Sequence, residues 1–262
     1  MQKNDQPVIL VTNDDGITAP GIRALVAAVK DLGTVVVVAP DSPQSGMGHA
    51  ITIGKPLRLD RVSVFDDLGI AAYQCSGTPV DCVKLARDKI LNAKPDLCVS
   101  GINHGSNASI NVIYSGTMSA AMEAAIEGIP SVGFSLLDYN FDADFTIAKK
   151  VAHTVASRML EKTMPPHMLL NVNIPVTTPG DFKGLKICRQ ADAKWAENFD
   201  HRIDPRGRDY YWMTGQFVNM DTGDGTDIEA LKEGYASVVP IKFDFTDMQM
   251  KNWLEEEWTS GR

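Results

Sequence analysis

Cysteine is scarce: Cys75, Cys82, Cys98 and Cys188 are the only four, and no two stand in C-x-x-C spacing. That pattern reads as buried free thiols in a reducing compartment, so a cytoplasmic location is expected. No apolar run approaches the roughly 20 residues of a membrane helix, and residues 1–7 are polar without the apolar core of a signal peptide. No G-x-G-x-x-G follows the first apolar run, which counts against a dinucleotide fingerprint. No G-x-S-x-G nucleophile elbow is present, which counts against a serine esterase. Positive charge is in deficit: 25 Lys and Arg against 33 Asp and Glu give a net charge of −8, unsuited to a nucleic-acid surface. Neither a nucleic acid nor a membrane is expected as a partner.

What is present is an α/β pattern. Val8–Thr12 and Thr34–Ala39 are unbroken β-branched runs that read as buried strands, and Ile22, Leu25, Val26, Val29 and Leu32 mark one helix face between them. Thr18 is the expected N-cap of that helix, Pro20 lies in its first turn and Gly33 follows it. The β-α-β order implies a parallel sheet with right-handed crossovers. Within residues 50–75, Ile51-Thr52-Ile53, Leu57-Arg58-Leu59 and Val62-Ser63-Val64 alternate with period two and predict a small antiparallel excursion of short strands, with a turn near Gly54. Thr78-Pro79 opens a helix that Lys94-Pro95 stops. Residues 96–100 form the next strand, an Ala-rich helix covers about 118–127, and strands are expected at 131–136 and 168–174 around a helix at about 148–159. The fold class is therefore α/β, a Rossmann-like, doubly wound, mainly parallel sheet over residues 1–180. Residues 181–262 read as a β-rich extension with a hairpin arm around Asp204-Pro205-Arg206-Gly207 and a terminal helix at 247–258. They are expected to pack on the core and to take part in oligomer contacts.

The chemistry concentrates at Asp14-Asp15, directly after the first strand. Two carboxylates about 4 Å apart repel by roughly 4 kcal/mol at an effective dielectric near 20. No Lys or Arg lies nearby in sequence to offset this. The topology carries Ser45-Gly46, Asn103 and Ser115-Gly116-Thr117 to the same sheet edge. Asp14, Asp15, Ser45 and Asn103 form a set of hard oxygen donors suited to Mg²⁺ or Mn²⁺, one ion per subunit, with Ca²⁺ also compatible. The Ser115–Thr117 segment at a helix start supplies N–H groups for a phosphate. This set argues for a metal-assisted phosphatase in which Asp14 or Asp15 orients or deprotonates the attacking water. His104 and His49 are weighed as acids and read first as structural residues. Tyr114 and Phe134 are weighed as base-stacking groups and read first as core.

Taken in order, Thr12-Asn13-Asp14-Asp15-Gly16, Ala39-Pro40-Asp41 through Ser45-Gly46, Gly77-Thr78-Pro79-Val80-Asp81-Cys82, Ser100-Gly101-Ile102-Asn103 and Tyr114-Ser115-Gly116-Thr117 resemble the SurE (survival protein E) family. Asn171-Val172-Asn173-Ile174-Pro175, Asp204–Gly207, Gly225-Thr226-Asp227 and Glu233-Gly234-Tyr235 extend the likeness along most of the chain. The resemblance implies a cytoplasmic nucleotidase acting on nucleoside monophosphates at the 5′ position, with 3′-monophosphates and short polyphosphate also in range. It implies a divalent metal on Asp14, Asp15, Ser45 and Asn103. Gly46, Asn107, Ser115, Gly116 and Thr117 are the candidate phosphate-binding residues. A homodimer or homotetramer built by exchanging C-terminal segments is implied as well.

Two rivals are weighed. A phosphorelay receiver needs an Asp ending its third strand and a Lys after its fifth. Asp96 begins its strand instead, and no Lys ends the 131–136 strand. The other is a non-catalytic, Mg-dependent nucleotide- or phosphate-binding regulator.

Overall fold

The computed structural model describes residues 6–165 and 167–259. Residues 1–5, part of the polar N-terminal segment, lie outside them. Six parallel strands form the centre: β1 (Val8–Thr12), β2 (Thr34–Pro40), β4 (Ala71–Cys75), β5 (Leu97–His104), β6 (Ser131–Leu136) and β7 (Leu169–Ile174). With β3 (Leu59–Val62), β8 (Leu185–Ile187) and β11 (Ala236–Pro240) they make a nine-stranded sheet of order β3-β4-β2-β1-β5-β6-β7-β11-β8. Among the parallel strands alone this is the doubly wound 3-2-1-4-5-6 order. Its direction reverses between β1 and β5, where open α/β sheets take their ligands. The antiparallel β3 and β11 flank the parallel core.

Both sheet faces are covered. The β1 residues Ile9 and Val11 share one core with helix α1 (Pro20–Val29) and helix α4 (Thr146–Glu161). Leu10 and Cys98 share the other with α2 (Pro79–Leu85) and α3 (Gly116–Ile126). Period-two alternation along β1 explains the split. The small residues of α3 let it pack closely: Ala120, Ala121, Ala124 and Ala125 are all fully buried.

Several expectations shift by identifiable physics. Ala19, not Thr18, is the N-cap of α1, and no side chain caps it, because Pro20 already occupies the first helical position. Of the strands expected in 50–64, only β3 forms. The strand that joins the main sheet is β4, parallel to β2. α2 has the expected Thr78 cap, completed as a capping box by Asp81, but ends at Leu85 and passes into a π-helical turn, Ala86–Ile90. β5 runs past Ser100 to His104. Its register advances three residues (Ser100 to Asn103) while β6 advances two (Gly133 to Ser135). This bulge carries Asn103 onto the sheet face that Ser100 occupies, the α3 side.

Residues 181–262 do not behave as one unit. β8, the short helix α5 (Asp227–Lys232) and β11 continue the core sheet and its packing. The hairpin of β9 (Ala193–Ile203) and β10 (Asp209–Asn219) and the helix α6 (Met248–Thr259) bury almost nothing. Among the described residues the strands of the arm pair only with each other. Ser109 Oγ, donating to the carbonyl oxygens of Ala191 and Ala193, and Trp195 Nε1, donating to Asn111 Oδ1, pin its base.

Two contacts hold the site-bearing edge. A Cβ on Gly21 of α1 would lie 2.0 Å from the carbonyl oxygen of Ile102, so only glycine lets α1 approach the β5 bulge. Glu123, buried in α3, accepts from Lys84 of α2 at 2.5 Å and pairs with His49 at 2.9 Å. His49 lies midway along the loop between β2 and β3. Burial alone would raise the Glu123 carboxyl; the hydrogen bonds and charges of His49 and Lys84 override it and hold it below the usual range.

Gly21→Ala should lose about 2 kcal/mol or more of unfolding free energy in a urea titration, since backbone must move to admit the methyl. Glu123→Gln should cost roughly 1–3 kcal/mol at neutral pH, the worth of hydrogen bonds to a charged group. Because the folded carboxyl titrates low, its contribution is complete above the ordinary glutamate range and fades as pH falls below it. Unfolding curves of wild type and Glu123→Gln should therefore converge in acid. A gap that stayed constant down to that range would refute the ion-pair account.

Candidate metal and phosphate site

The site begins where β1 ends. Asp14 is 3 % exposed and sits against the first turn of α3. Thr117 Oγ1 donates to Asp14 Oδ1 at 2.5 Å, and the Thr117 backbone N–H also favours the carboxylate. A Cβ at Gly116 would come within 2.7 Å of Asp14 Cβ, so glycine is required there by space alone. Burial pushes the Asp14 carboxyl up to about 6; the Thr117 hydrogen bonds pull against this and the Asp15 charge adds to it. Asp14 is thus a carboxylate held out of water beside a second one, in need of positive charge.

Asp15 is half-buried. Its Oδ2 accepts from the His104 backbone N–H at 3.4 Å and faces His104 Nδ1 at 3.3 Å. Phe145 stands edge-on to the His104 ring, fixing its plane, with centroids 5.3 Å apart. Asn103 donates its amide to the carbonyl oxygens of His104 (3.2 Å) and Gly105 (2.9 Å). Its amide nitrogen is spent on backbone, which leaves Oδ1 as the unengaged end, the end that suits a hard cation. Asn13 repeats the pattern. Its amide donates to the Gly16 carbonyl oxygen at 2.9 Å, and its buried Oδ1 has no partner among the described residues.

The loop after β2 crosses this edge. Gln44 N–H donates to the Asp14 carbonyl oxygen at 2.7 Å, and Gly48 N–H to that of Tyr114 at 3.2 Å. Between these anchors Ser45 and Gly46 are exposed, and Gly46 has φ 72° with open space around it. Ser45 therefore stands one residue from a direct contact with Asp14. The donor set is two carboxylates, a hydroxyl and an amide oxygen. Among the described residues no cluster of three His, Cys, Asp or Glu side chains could hold a metal. Two carboxylates completed by neutral oxygens fit a divalent hard cation.

The candidate phosphate-binding residues divide. Gly46 is open, and Ser115 and Gly116 form the start of α3, where Ser115 Oγ caps the helix by accepting from Met118 N–H. Two are committed elsewhere. Thr117 spends its hydroxyl on Asp14. Asn107 is buried, with its side chain donating to Ser135 Oγ and its backbone bonded to Asn171 and Asn173. Phe134 lies in the core, as read from sequence, whereas Tyr114 is exposed.

A cleft of about 380 Å³ opens beside Asp15 and His104 and is lined also by Asp41, Pro43, Tyr139 and Phe141. Hollows of about 520 Å³ near Phe243 and about 470 Å³ near Lys94–Asp96 are larger but touch no candidate ligand. Sequence reasoning missed this cleft wall. Its one signal was position: Tyr139 and Phe141 follow the carboxyl end of β6, on the ligand edge of the sheet.

The chain matches the family model described as Survival protein SurE over residues 9–197. It is 61% identical over 241 residues to the 5′-nucleotidase SurE of Christiangramia forsetii, covering 92% of this chain and 93% of the relative. It is 60% identical over 252 residues to that of Flavobacterium psychrophilum, covering 95% and 98%. Among solved structures, the SurE protein from Aquifex aeolicus superposes with a TM-score of 0.82 at 39% identity, covering 95% of this chain and 98% of that one. With the doubly wound sheet and the Asp14-Asp15 edge on which those likenesses meet, the chain belongs to the SurE family.

Proposed function

We propose that this chain is a metal-dependent nucleotidase that hydrolyses nucleoside 5′-monophosphates to nucleoside and phosphate. The observation that carries the reading is that the end of β1, with Asp14 and Asp15, lies beside the end of β5, with Asn103 and His104, next to a cleft and the first turn of α3. The name those relatives share, 5′-nucleotidase SurE, supports catalysis over non-catalytic binding.

In this reading Asp14, Asp15, Ser45 and Asn103 hold one Mg²⁺ or Mn²⁺. The ion supplies charge neutralisation for a phosphoryl oxygen and lowers the pKa of water. Asp14, inaccessible and fixed by Thr117, anchors. Asp15, at the cleft and steadied by His104, orients the attacking water and takes its proton. The Gly46 and Gly116 segments offer backbone N–H groups to the equatorial oxygens. Water adds to phosphorus as the ester P–O bond breaks, the leaving oxygen takes a proton from solvent water to become the nucleoside hydroxyl, and Asp15 returns its proton to solvent.

A homodimer or homotetramer is part of the proposal. Its support is the run of exposed large apolar side chains on the arm and α6, among them Phe199, Trp212, Met213, Trp253 and Trp258. Among the described residues no helix is long and apolar enough to cross a membrane. The four free cysteines are all buried, which supports a cytoplasmic setting.

Asp14→Asn and Asp15→Asn should each lower kcat for a nucleoside monophosphate by about a thousandfold, the scale of losing a principal charge-stabilising group. Chelation should abolish wild-type turnover and added Mg²⁺ or Mn²⁺ restore it. Full turnover by both variants, or by chelated enzyme, would sink the assignment. A second readout needs no activity. Burial disfavours the ionised Asp14 carboxyl, so metal-free Asp14→Asn should be more stable than metal-free wild type at pH 8, on the order of 2 kcal/mol. Added divalent cation should raise the wild-type Tm and leave the variant's unchanged; equal cation stabilisation of both would count against Asp14 as a ligand.

A further inference from the structure

The cleft beside Asp15 has a composition that the phosphoryl chemistry does not use. Tyr139 and Phe141 are each 74 % exposed, unusual for large aromatics, and both lie on its wall in the loop between β6 and α4. The Tyr139 ring is laid against the chain rather than free in solvent. A Cβ on Gly105 would meet its Cε1 at 2.4 Å, so the glycine two residues after Asn103 makes room for that ring. Thr18, Asp41 and Pro43 line it as well. Asp41 carries a carboxylate, and no Lys or Arg lines the cleft.

We propose that this cleft receives the nucleoside half of the substrate, the base stacking on Tyr139 and Phe141 and the sugar hydroxyls donating to Asp41. The inference rests on the nucleotidase reading above and adds to it a basis for substrate choice. The charge pattern decides between the ligands that a phosphate site accepts. A second or third phosphate entering the cleft would meet the carboxylate of Asp41 with no cation to offset it, whereas a sugar and a base are uncharged. Aromatic faces with no hydrogen-bonding wall of matched donors stack any base, since every base has a π-face. The enzyme should therefore prefer nucleoside monophosphates to nucleoside triphosphates and to polyphosphate, and discriminate weakly among bases.

The test compares purified wild type, Tyr139→Ala/Phe141→Ala and Tyr139→Phe with adenosine 5′-monophosphate, ribose 5-phosphate and tripolyphosphate, with adenosine as competitive inhibitor. The double variant should raise KM for the nucleotide at least about tenfold, the loss of one or two stacked faces, with kcat within about twofold. Its kcat/KM for ribose 5-phosphate should be unchanged, which also shows that it folds. Inhibition by adenosine should weaken in parallel, and Tyr139→Phe, which keeps the ring, should behave as wild type. Wild type should prefer the nucleotide to tripolyphosphate. An unchanged nucleotide KM in a double variant that still turns over ribose 5-phosphate would overturn the cleft assignment, as would equal losses on both substrates. Wild type that releases no phosphate from the nucleotide but binds adenosine in a Tyr139- and Phe141-dependent manner would instead overturn the nucleotidase reading and leave the cleft assignment standing.

Discussion

A carboxylate taken out of water must be held by something, and Asp14 is held by the first turn of a helix one hundred residues further along. Thr117 donates its hydroxyl to it, Gly116 has no side chain to keep it away, and the Gln44 backbone N–H donates to the carbonyl oxygen of the same residue. Three segments therefore meet on one residue: the end of β1, the loop after β2 and the start of α3. The favourable field of a helix N-terminus moderates the burial but does not cancel it, since the carboxyl is still pushed up to about 6. The remaining imbalance, enlarged by Asp15, is what a divalent cation would relieve. A site that is electrostatically unfavourable alone and favourable when filled is how a fold trades stability for binding.

The same contact explains the placing of the second anchor. The loop after β2 is fixed near its start to Asp14 and midway along to Glu123 through His49, so that exposed Ser45 and Gly46 are suspended between two points of attachment. Both attachments involve α3 or its N-terminal contact. The helix that looks in sequence like an Ala-rich packing element is thus the frame on which the proposed metal-binding edge is assembled.

How much of this could be read from the sequence depended on whether a signal was local. β1, β2, β6 and β7 are legible because unbroken β-branched runs have few alternative uses. The arm is legible because Asp204-Pro205-Arg206-Gly207 separates two long segments. β4, Ala71–Cys75, was hidden because AAYQC lacks both alternation and β-branching. β5 was read too short because Gly101 looks like a terminator, whereas in the sheet it belongs to a bulge. The oxygen donors were legible from chemistry at strand ends. The roles of Thr117 and Asn107 were not, because a hydroxyl or amide near a helix start looks available until its partner is known. Asp227 stood out only as part of a motif. In the structure it is a buried clasp whose two oxygens bind the backbone N–H groups of Ser109 and Ala191.

That clasp connects the exposed arm to the site. A two-stranded ribbon is marginally stable by itself, and β9 and β10 have no other strand to lean on. Their order must come from their base or from a surface laid over them. The base is pinned to residues 109–111, which open the 3₁₀ turn leading to Tyr114 and the Ser115 cap of α3. Whatever covers the arm, in the proposed oligomer a second copy, therefore steadies the segment that delivers α3 to Asp14. Assembly and catalysis then share one short stretch of chain, and the aromatic arm belongs to the same mechanical system as the carboxylate that begins it.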